Sequence, residues 1–169
     1  PVCHNWLKKL FMFKSNNTVI APTASYESLV DSVKLKNKFH KIFRHLIRKY
    51  KFSKNFDKFP NPHFRTSSFL INSKTFLKFI KDKKLRNKED TLKIESGKNS
   101  ITKYLKKKQI KIYVVNSDGK KFIESKWKYS ETYVFSKKNK AIICDKHSRK
   151  YLKLNRDEKD NVRIKVWGN

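Results

Sequence analysis

The sequence predicts an α+β protein in which a basic N-terminal arm and helices precede a small, mostly antiparallel β-sheet. Before residue 110 apolar residues recur every three or four positions, and after it β-branched and aromatic runs alternate with turn residues. Aromatic residues make up 14% of the chain, which favours a modest core over a disordered basic tail. We divide the chain into an extended basic arm (residues 1–24), a helical basic region with an irregular Phe-rich strap (25–109) and a small β domain (110–169).

The helical region follows an arm, residues 2–24, that has no sustained apolar period. From residue 25 to residue 50, apolar residues at intervals of three and four predict a first helix with one buried face. That face consists of Leu35, Phe39, Ile42, Phe43, Leu46, Ile47 and Tyr50. The Asn, Asp, Ser and Pro residues of 51–62 predict the end of this helix and an irregular strap anchored by phenylalanines.

Two shorter helices complete the region. Residues 73–85 predict a helix capped by Ser73, because a serine hydroxyl can accept a hydrogen bond from the first turn. The polar residues 86–99 predict a linker. A short helix is expected from Ser100, with Lys106, Lys107 and Lys108 at its C-terminal end, where cations suit the helix dipole.

The β domain is predicted from turn chemistry. Residues 110–115 and 120–124 flank Asn116-Ser117-Asp118-Gly119, a sequence typical of a hairpin turn. Residues 131–135 and 141–144 predict a second hairpin. Residues 162–167 alternate apolar and other side chains, which is the pattern of a half-buried strand.

The charge of the chain indicates its partner. Lys and Arg number 43 against 14 Asp and Glu, a net charge of +29, and such a protein requires a polyanionic partner. Nucleic acid, an anionic membrane surface and an acidic protein all meet this requirement. Because the charge is spread along the whole chain rather than gathered in one juxtamembrane cluster, nucleic acid is favoured. Lys outnumbers Arg 36 to 7, which favours recognition of RNA shape and backbone over base edges.

The candidate RNA-binding residues are basic side chains on each predicted element, with one aromatic residue among them. Trp127 and Tyr151 lie beside cations and could stack on exposed bases, or they could belong to the core. The candidates are Lys34, Lys38, Lys41, Arg44, Arg48, Lys49, Lys106, Lys107, Lys108, Lys120, Lys121, Lys126, Trp127, Lys128, Arg149 and Lys150.

Catalytic chemistry has one candidate, a metal-dependent nuclease built from Asp118 with Glu124 and Lys126. Asp118 has a simpler explanation as a hairpin-turn residue. Cys144 and His147 have zinc-like spacing but lack two further ligands. The sequence has no nucleotide-binding or hydrolase motif and no apolar run long enough to span a membrane. We therefore expect no catalytic residue, metal, cofactor, small-molecule substrate or membrane insertion.

A set of short features in residues 110–155 follows the order of a known family. A strand and turn at residues 114–119 are followed by a basic strand through Phe122 and Ser125, and then by Asp145, His147 and Tyr151. In these features the segment resembles the bacterial-type large-subunit ribosomal protein family thirty-one in its mitochondrial form. The resemblance implies a structural component of the mitochondrial large subunit, in the matrix, in contact with rRNA and neighbouring ribosomal proteins. A free-standing RNA- or DNA-binding factor is the alternative.

Overall fold

A computed structural model describes residues 2–32, 39–136 and 138–168, without the side chains of residues 39–42 and 45. It confirms the α+β class: helices surround two small sheets. The helices are α1 (Trp6–Phe11), α2 (Phe39–Asn55), α3 (Ser73–Ile80), α4 (Lys88–Ser96), α5 (Ile101–Lys107), a 3₁₀ helix (Glu124–Ser130), α6 (Lys146–Leu152) and α7 (Arg156–Trp167). The strands are β1 (Thr18–Ala21), β2 (Ala24–Ser25), β3 (His63–Phe64), β4 (Lys111–Val115) and β5 (Lys121–Phe122).

The larger sheet has β4 at its centre. β5 pairs antiparallel with β4, as the Asp-Gly turn predicts, with Val114 opposite Phe122. β1 pairs with the other edge of β4 in parallel, with Thr18 opposite Lys111. The sheet is therefore mixed rather than mostly antiparallel, because its third strand comes from the other end of the chain. In the smaller sheet, β2 and β3 are antiparallel.

Residues 2–24 differ from the extended arm that the sequence predicted. They contain α1 and β1, and Val2 forms an isolated bridge with Ile143. Leu10 and the residues Val19, Ile20 and Ala21 are buried. The short apolar run of β1 is thus a strand buried on both faces, which explains why it lacks the alternation of a surface strand.

The C-terminal third contains fewer strands than predicted. Apart from the bridge at Ile143, the described residues of 131–144 form no strand, so the second hairpin was a wrong prediction. The predicted strand at 162–167 is also wrong, because these residues end α7. Asn155 caps that helix in a reciprocal pair with Glu158, and the local start signal overrides the short alternation that follows.

The central helices differ from the prediction at their ends. α2 continues past the predicted boundary to Asn55, and Leu35 lies outside the described residues. α3 ends at Ile80, and its cap is Asn72, whose side chain accepts a hydrogen bond from the Thr75 amide, instead of Ser73. The predicted linker at 86–99 contains α4, capped by Asn87. α5 lies where a short helix was predicted.

The main core joins both ends of the chain. Trp127 is fully buried, and Tyr26 contacts it at 6.3 Å between ring centroids and meets Trp167 edge-on at 5.0 Å. A separate small cluster of Val30, Phe52 and Phe56 fastens the C-terminal end of α2. The predicted buried face of α2 is wrong where its side chains are described. Phe43, Leu46, Ile47 and Tyr50 are between 52 and 74% exposed.

Candidate nucleic-acid interface

A concentrated basic surface lies in a groove between α3, α4, α5 and the end of α2. Two adjoining depressions of about 260 and 300 Å³ share Lys83, Lys98 and Asn99 in their walls. Eight lysines line the two depressions, against the two acids Asp82 and Asp90. We call this surface the lysine groove, and its members are Lys54, Lys78, Lys83, Lys84, Lys93, Lys98, Lys103 and Lys107.

Hydrogen bonds to backbone carbonyls maintain the shape of the groove. Phe56 and Gly97 form an isolated bridge, and the Lys98 amide donates to the Asn55 carbonyl at 2.8 Å. The Lys98 ammonium donates to the Ser53 carbonyl at 2.8 Å. These contacts fasten the end of α2 to the loop between α4 and α5, so that lysines far apart in sequence line one surface.

Most of the lysines in the groove have no acidic partner. Lys93 pairs with Glu89 and Asp90, and Lys103 pairs with Asp57. In the described part of the chain, no carboxylate lies within 4 Å of Lys54, Lys78, Lys83, Lys84, Lys98 or Lys107. Six ammonium groups on one concave surface repel one another, and polyphosphate is the natural counter-charge for such an arrangement.

Aromatic rings lie among these lysines. Phe79 and Tyr104 pack against each other at 5.2 Å in the wall of the groove. The Lys83 ammonium lies 5.1 Å from the Phe79 ring centroid, and the Lys54 ammonium lies 4.5 Å from that of Tyr50. These cation–π contacts hold the ammonium groups over rings without neutralising their charge.

The basic residues predicted on the helices occupy more than one surface. Lys34 and Lys38 lie outside the described residues, and Lys41 belongs to α2 without a described side chain. Arg44, Arg48 and Lys49 are exposed on α2. At the end of α5, Lys107 lines the groove and Lys108 is exposed, whereas Lys106 pairs with Glu124 at 2.8 Å.

The hairpin and the 3₁₀ helix form a second basic surface. Lys120 and Lys121 are exposed, and the Lys121 ammonium lies about equally far from the rings of Phe13 and Tyr113, at 5.1 and 5.0 Å. Lys126 and Lys128 flank the ring of Tyr129 at 5.5 and 5.1 Å.

Trp127 does not belong to this surface. Its side chain is 0% exposed, whereas Tyr129, two residues later, is 56% exposed. The 3₁₀ helix turns one ring inward and the other outward, so the ring available for stacking is that of Tyr129. Tyr151 is likewise in the core, where its hydroxyl donates to the Phe135 carbonyl at 2.8 Å. Arg149 and Lys150, beside it on α6, are exposed.

A larger depression, about 940 Å³, lies between α2 and the body of the protein. Arg44, Arg48 and Lys51 from α2 line one side, and Glu89 and Glu95 from α4 line another. Lys51 and Glu89 form an ion pair at 2.8 Å across it. Because acids and cations are mixed here, this cleft is less suited to phosphate than the lysine groove.

The floor of the cleft is a buried polar cluster. The Arg65 guanidinium pairs with Asp145 at 3.0 Å and lies 4.0 Å from the centroid of the Tyr133 ring. Burial raises the pKa of Asp145, but the Ser148 amide and Arg65 outweigh this effect and hold the pKa below its usual range. Burial raises the pKa of Tyr133 to about 12. Burial also lowers the pKa of His63, although the Asn61 carbonyl, which lies 2.8 Å from Nδ1, acts in the opposite direction.

Both carboxylates of the nuclease hypothesis are engaged in ion pairs. Lys140 binds the Asp118 carboxylate, and Lys106 binds that of Glu124. The Lys140 hydrogen bond holds the pKa of Asp118 below its usual range. Among the described residues, no three His, Cys, Asp or Glu side chains are grouped so that they could hold a metal ion. In the same part of the chain, no helix combines the length and apolar content that crossing a membrane requires.

Sequence reasoning identified only Lys107 among the lysines of the groove as a candidate. Lys78, Lys83 and Lys84 were recognisable as the basic face of a predicted helix, but a basic helix face is usually just solvated. Lys93 and Lys98 were hidden because residues 86–99 were taken for a linker, and Lys103 lies on the predicted short helix but was not singled out. The ion pair of Arg65 with Asp145, 80 positions away, had no signal in the sequence.

By its fold and its surface, this chain is a basic α+β protein with a lysine-lined groove. Comparison of the chain with protein-family models, with curated proteins and with solved structures gives no match in any of the three.

Proposed function

We propose that this protein is a structural, non-catalytic RNA-binding protein, a constituent of the ribosome that contacts rRNA through backbone charge and shape. The observation that carries the proposal is the lysine groove, with six lysines that no carboxylate within 4 Å neutralises in the described residues. Each lysine that neutralises a phosphate releases condensed counterions, and this release is the main source of backbone affinity.

The finer assignment rests on the resemblance of residues 110–155 to the mitochondrial form of ribosomal protein family thirty-one. On that basis we propose the large subunit of the mitochondrial ribosome, in the matrix, with neighbouring ribosomal proteins as further partners. Support comes from the dispersal of exposed cations over α2, α5, the hairpin and α6. A protein embedded along folded RNA needs charge on several faces, whereas a protein that grips one duplex needs it on one.

A binding experiment tests the role of the groove. The variant Lys78→Gln/Lys83→Gln/Lys107→Gln is compared with Lys58→Gln/Lys138→Gln/Lys153→Gln, which removes the same charge from exposed lysines outside the groove. Affinity for a labelled single-stranded RNA is measured from low to physiological salt. Log affinity falls as log salt rises, and each lysine–phosphate contact makes this slope steeper by about 0.7. Loss of three contacts in the groove variant should therefore make the slope shallower by about 2. Equal slopes for the two variants would show that the groove is not part of the RNA interface.

Sedimentation of native lysate, with and without nuclease, separates the two RNA-binding functions. A ribosomal constituent sediments with a large particle and moves to light fractions after nuclease treatment. A protein that stays in the light fractions without nuclease is a free-standing RNA- or DNA-binding factor, and the ribosomal proposal then fails.

A further inference from the structure

The exposed apolar side of α2 is not explained by RNA binding. Phe43, Leu46, Ile47 and Tyr50, which we call the apolar stripe, are each more than half exposed. Phosphate and ribose offer aliphatic side chains such as Leu46 and Ile47 no favourable contact. A contiguous row of large apolar side chains on a protein surface generally marks a docking site.

The stripe lies mainly on the side of α2 away from the body of the protein, with Ile47 at the rim of the cleft. α2 is fastened by Phe52 and Phe56, which are buried with Val30. An α-helix turns by about 100° per residue, so Phe52, nine residues after Phe43, lies on the opposite side of the helix axis. Among the described residues, the stripe is therefore largely uncovered along about two turns of the helix, and cations flank it.

The charge of α2 restricts what can cover the stripe. The helix carries six Lys or Arg residues and no Asp or Glu. A second copy of this chain would bring the same charges to the contact and would be repelled. The occupant must combine an apolar interior with negative charge at its edge.

We propose that α2 docks on an anionic phospholipid surface. It would lie in the plane of the interface, with the stripe among the acyl chains and the flanking cations at the headgroups. A charged polar face without acids, opposite a face of Phe, Leu, Ile and Tyr, is the composition of interfacial helices. Lys49 lies on one flank and Arg44, at the rim of the cleft, lies on the other, as suits headgroups on both sides of the stripe. The stripe shares no residue with the lysine groove, although its residue Tyr50 contacts Lys54 of the groove.

The decisive experiment must separate insertion from simple charge attraction, because a protein of net charge +29 will adhere to any anionic surface. The full chain, freed of nucleic acid, is mixed with vesicles of phosphatidylcholine and phosphatidylglycerol, some with brominated acyl chains. Tyr50→Trp reports from the stripe, and Leu77→Trp reports from an exposed position on α3, outside the stripe. The parent protein gives the background of the native tryptophans.

We expect brominated lipid to quench the fluorescence that Tyr50→Trp adds and to leave that of Leu77→Trp largely unchanged. Phe43→Ala/Leu46→Ala should weaken vesicle binding about tenfold or more at physiological salt. Leu77→Ala removes an equally exposed leucine from α3, 61% exposed, and should bind as the parent does. Circular dichroism confirms that each variant keeps its helices.

Two results would overturn the proposal. Absence of bromine quenching for vesicle-bound Tyr50→Trp would show that the stripe stays in water and that charge alone holds the protein. Vesicle binding unaffected by the alanine variant, combined with its loss of a copurifying protein, would assign the stripe to a protein partner.

Discussion

Trp127 and Tyr129 offer a matched pair of aromatic residues with opposite surroundings. Trp127 is 0% exposed, and replacement by Ala empties its site in the core. A buried tryptophan removes about 150–250 Å² from water, which corresponds to roughly 4–6 kcal/mol at about 25 cal/mol per Å². Measured losses for such truncations are about 3–5 kcal/mol. Native proteins have a free energy of unfolding of only about 5–15 kcal/mol, so Trp127→Ala should remove much of the stability of this protein.

Trp127→Phe keeps the test informative if the alanine variant does not fold. The Trp127 Nε1 has no hydrogen-bond partner among the described residues. Phenylalanine removes this unpaired donor, which offsets part of the lost apolar area, and we expect a loss of about 1–2 kcal/mol. Urea unfolding followed by circular dichroism measures this loss, and RNA binding by the folded variant should equal that of the parent.

Tyr129→Ala should behave in the opposite way. The ring is exposed between Lys126 and Lys128, so its removal should change the free energy of unfolding by no more than about 0.5 kcal/mol. Stacking of a base on an aromatic ring contributes about 1–3 kcal/mol, and RNA affinity should fall correspondingly. The reasoning is refuted if Trp127→Phe leaves stability intact but weakens RNA binding more than Tyr129→Ala does.

Two further predictions concern the buried polar cluster and the end of α4. Because burial lowers the pKa of His63 below 6.5, the unfolded chain takes up the proton first. The free energy of unfolding should therefore be greatest above about pH 6.5, and at lower pH it should decrease by at most about 1.4 kcal/mol per pH unit. The difference in this free energy between pH 7.5 and pH 5.5, measured by denaturation, should be smaller for His63→Gln than for the parent protein. Gly97→Ala would place a Cβ 2.5 Å from the Lys93 carbonyl oxygen and should cost about 1–3 kcal/mol. Gly119→Ala, whose Cβ meets no atom within 4 Å, should cost only the left-handed backbone, about 1–2 kcal/mol. A Gly97→Ala variant with the same thermal stability as the parent protein would contradict this account.

Predictions from the sequence succeeded where the governing interactions are local. The Asp118-Gly119 turn specifies the β4–β5 hairpin through backbone conformation, and α5 follows from a few adjacent residues. α4 and α7 were missed although their caps, Asn87 and Asn155, are also local signals. In both cases a polar or alternating composition was given more weight than the capping residue.

The sequence by itself determined the charge of this protein, and with it the need for a polyanion, because charge depends only on composition. Tertiary structure decided where that charge is concentrated. β1 reaches β4 from more than 90 positions away, and the lysine groove collects residues from four helices. Tertiary structure also decided that α2 is held by Phe52 and Phe56 rather than by its longer apolar stripe. The periodicity of apolar residues indicates that a helix has an apolar face and a polar face. Only the packing of the rest of the chain determines which part of the helix is buried.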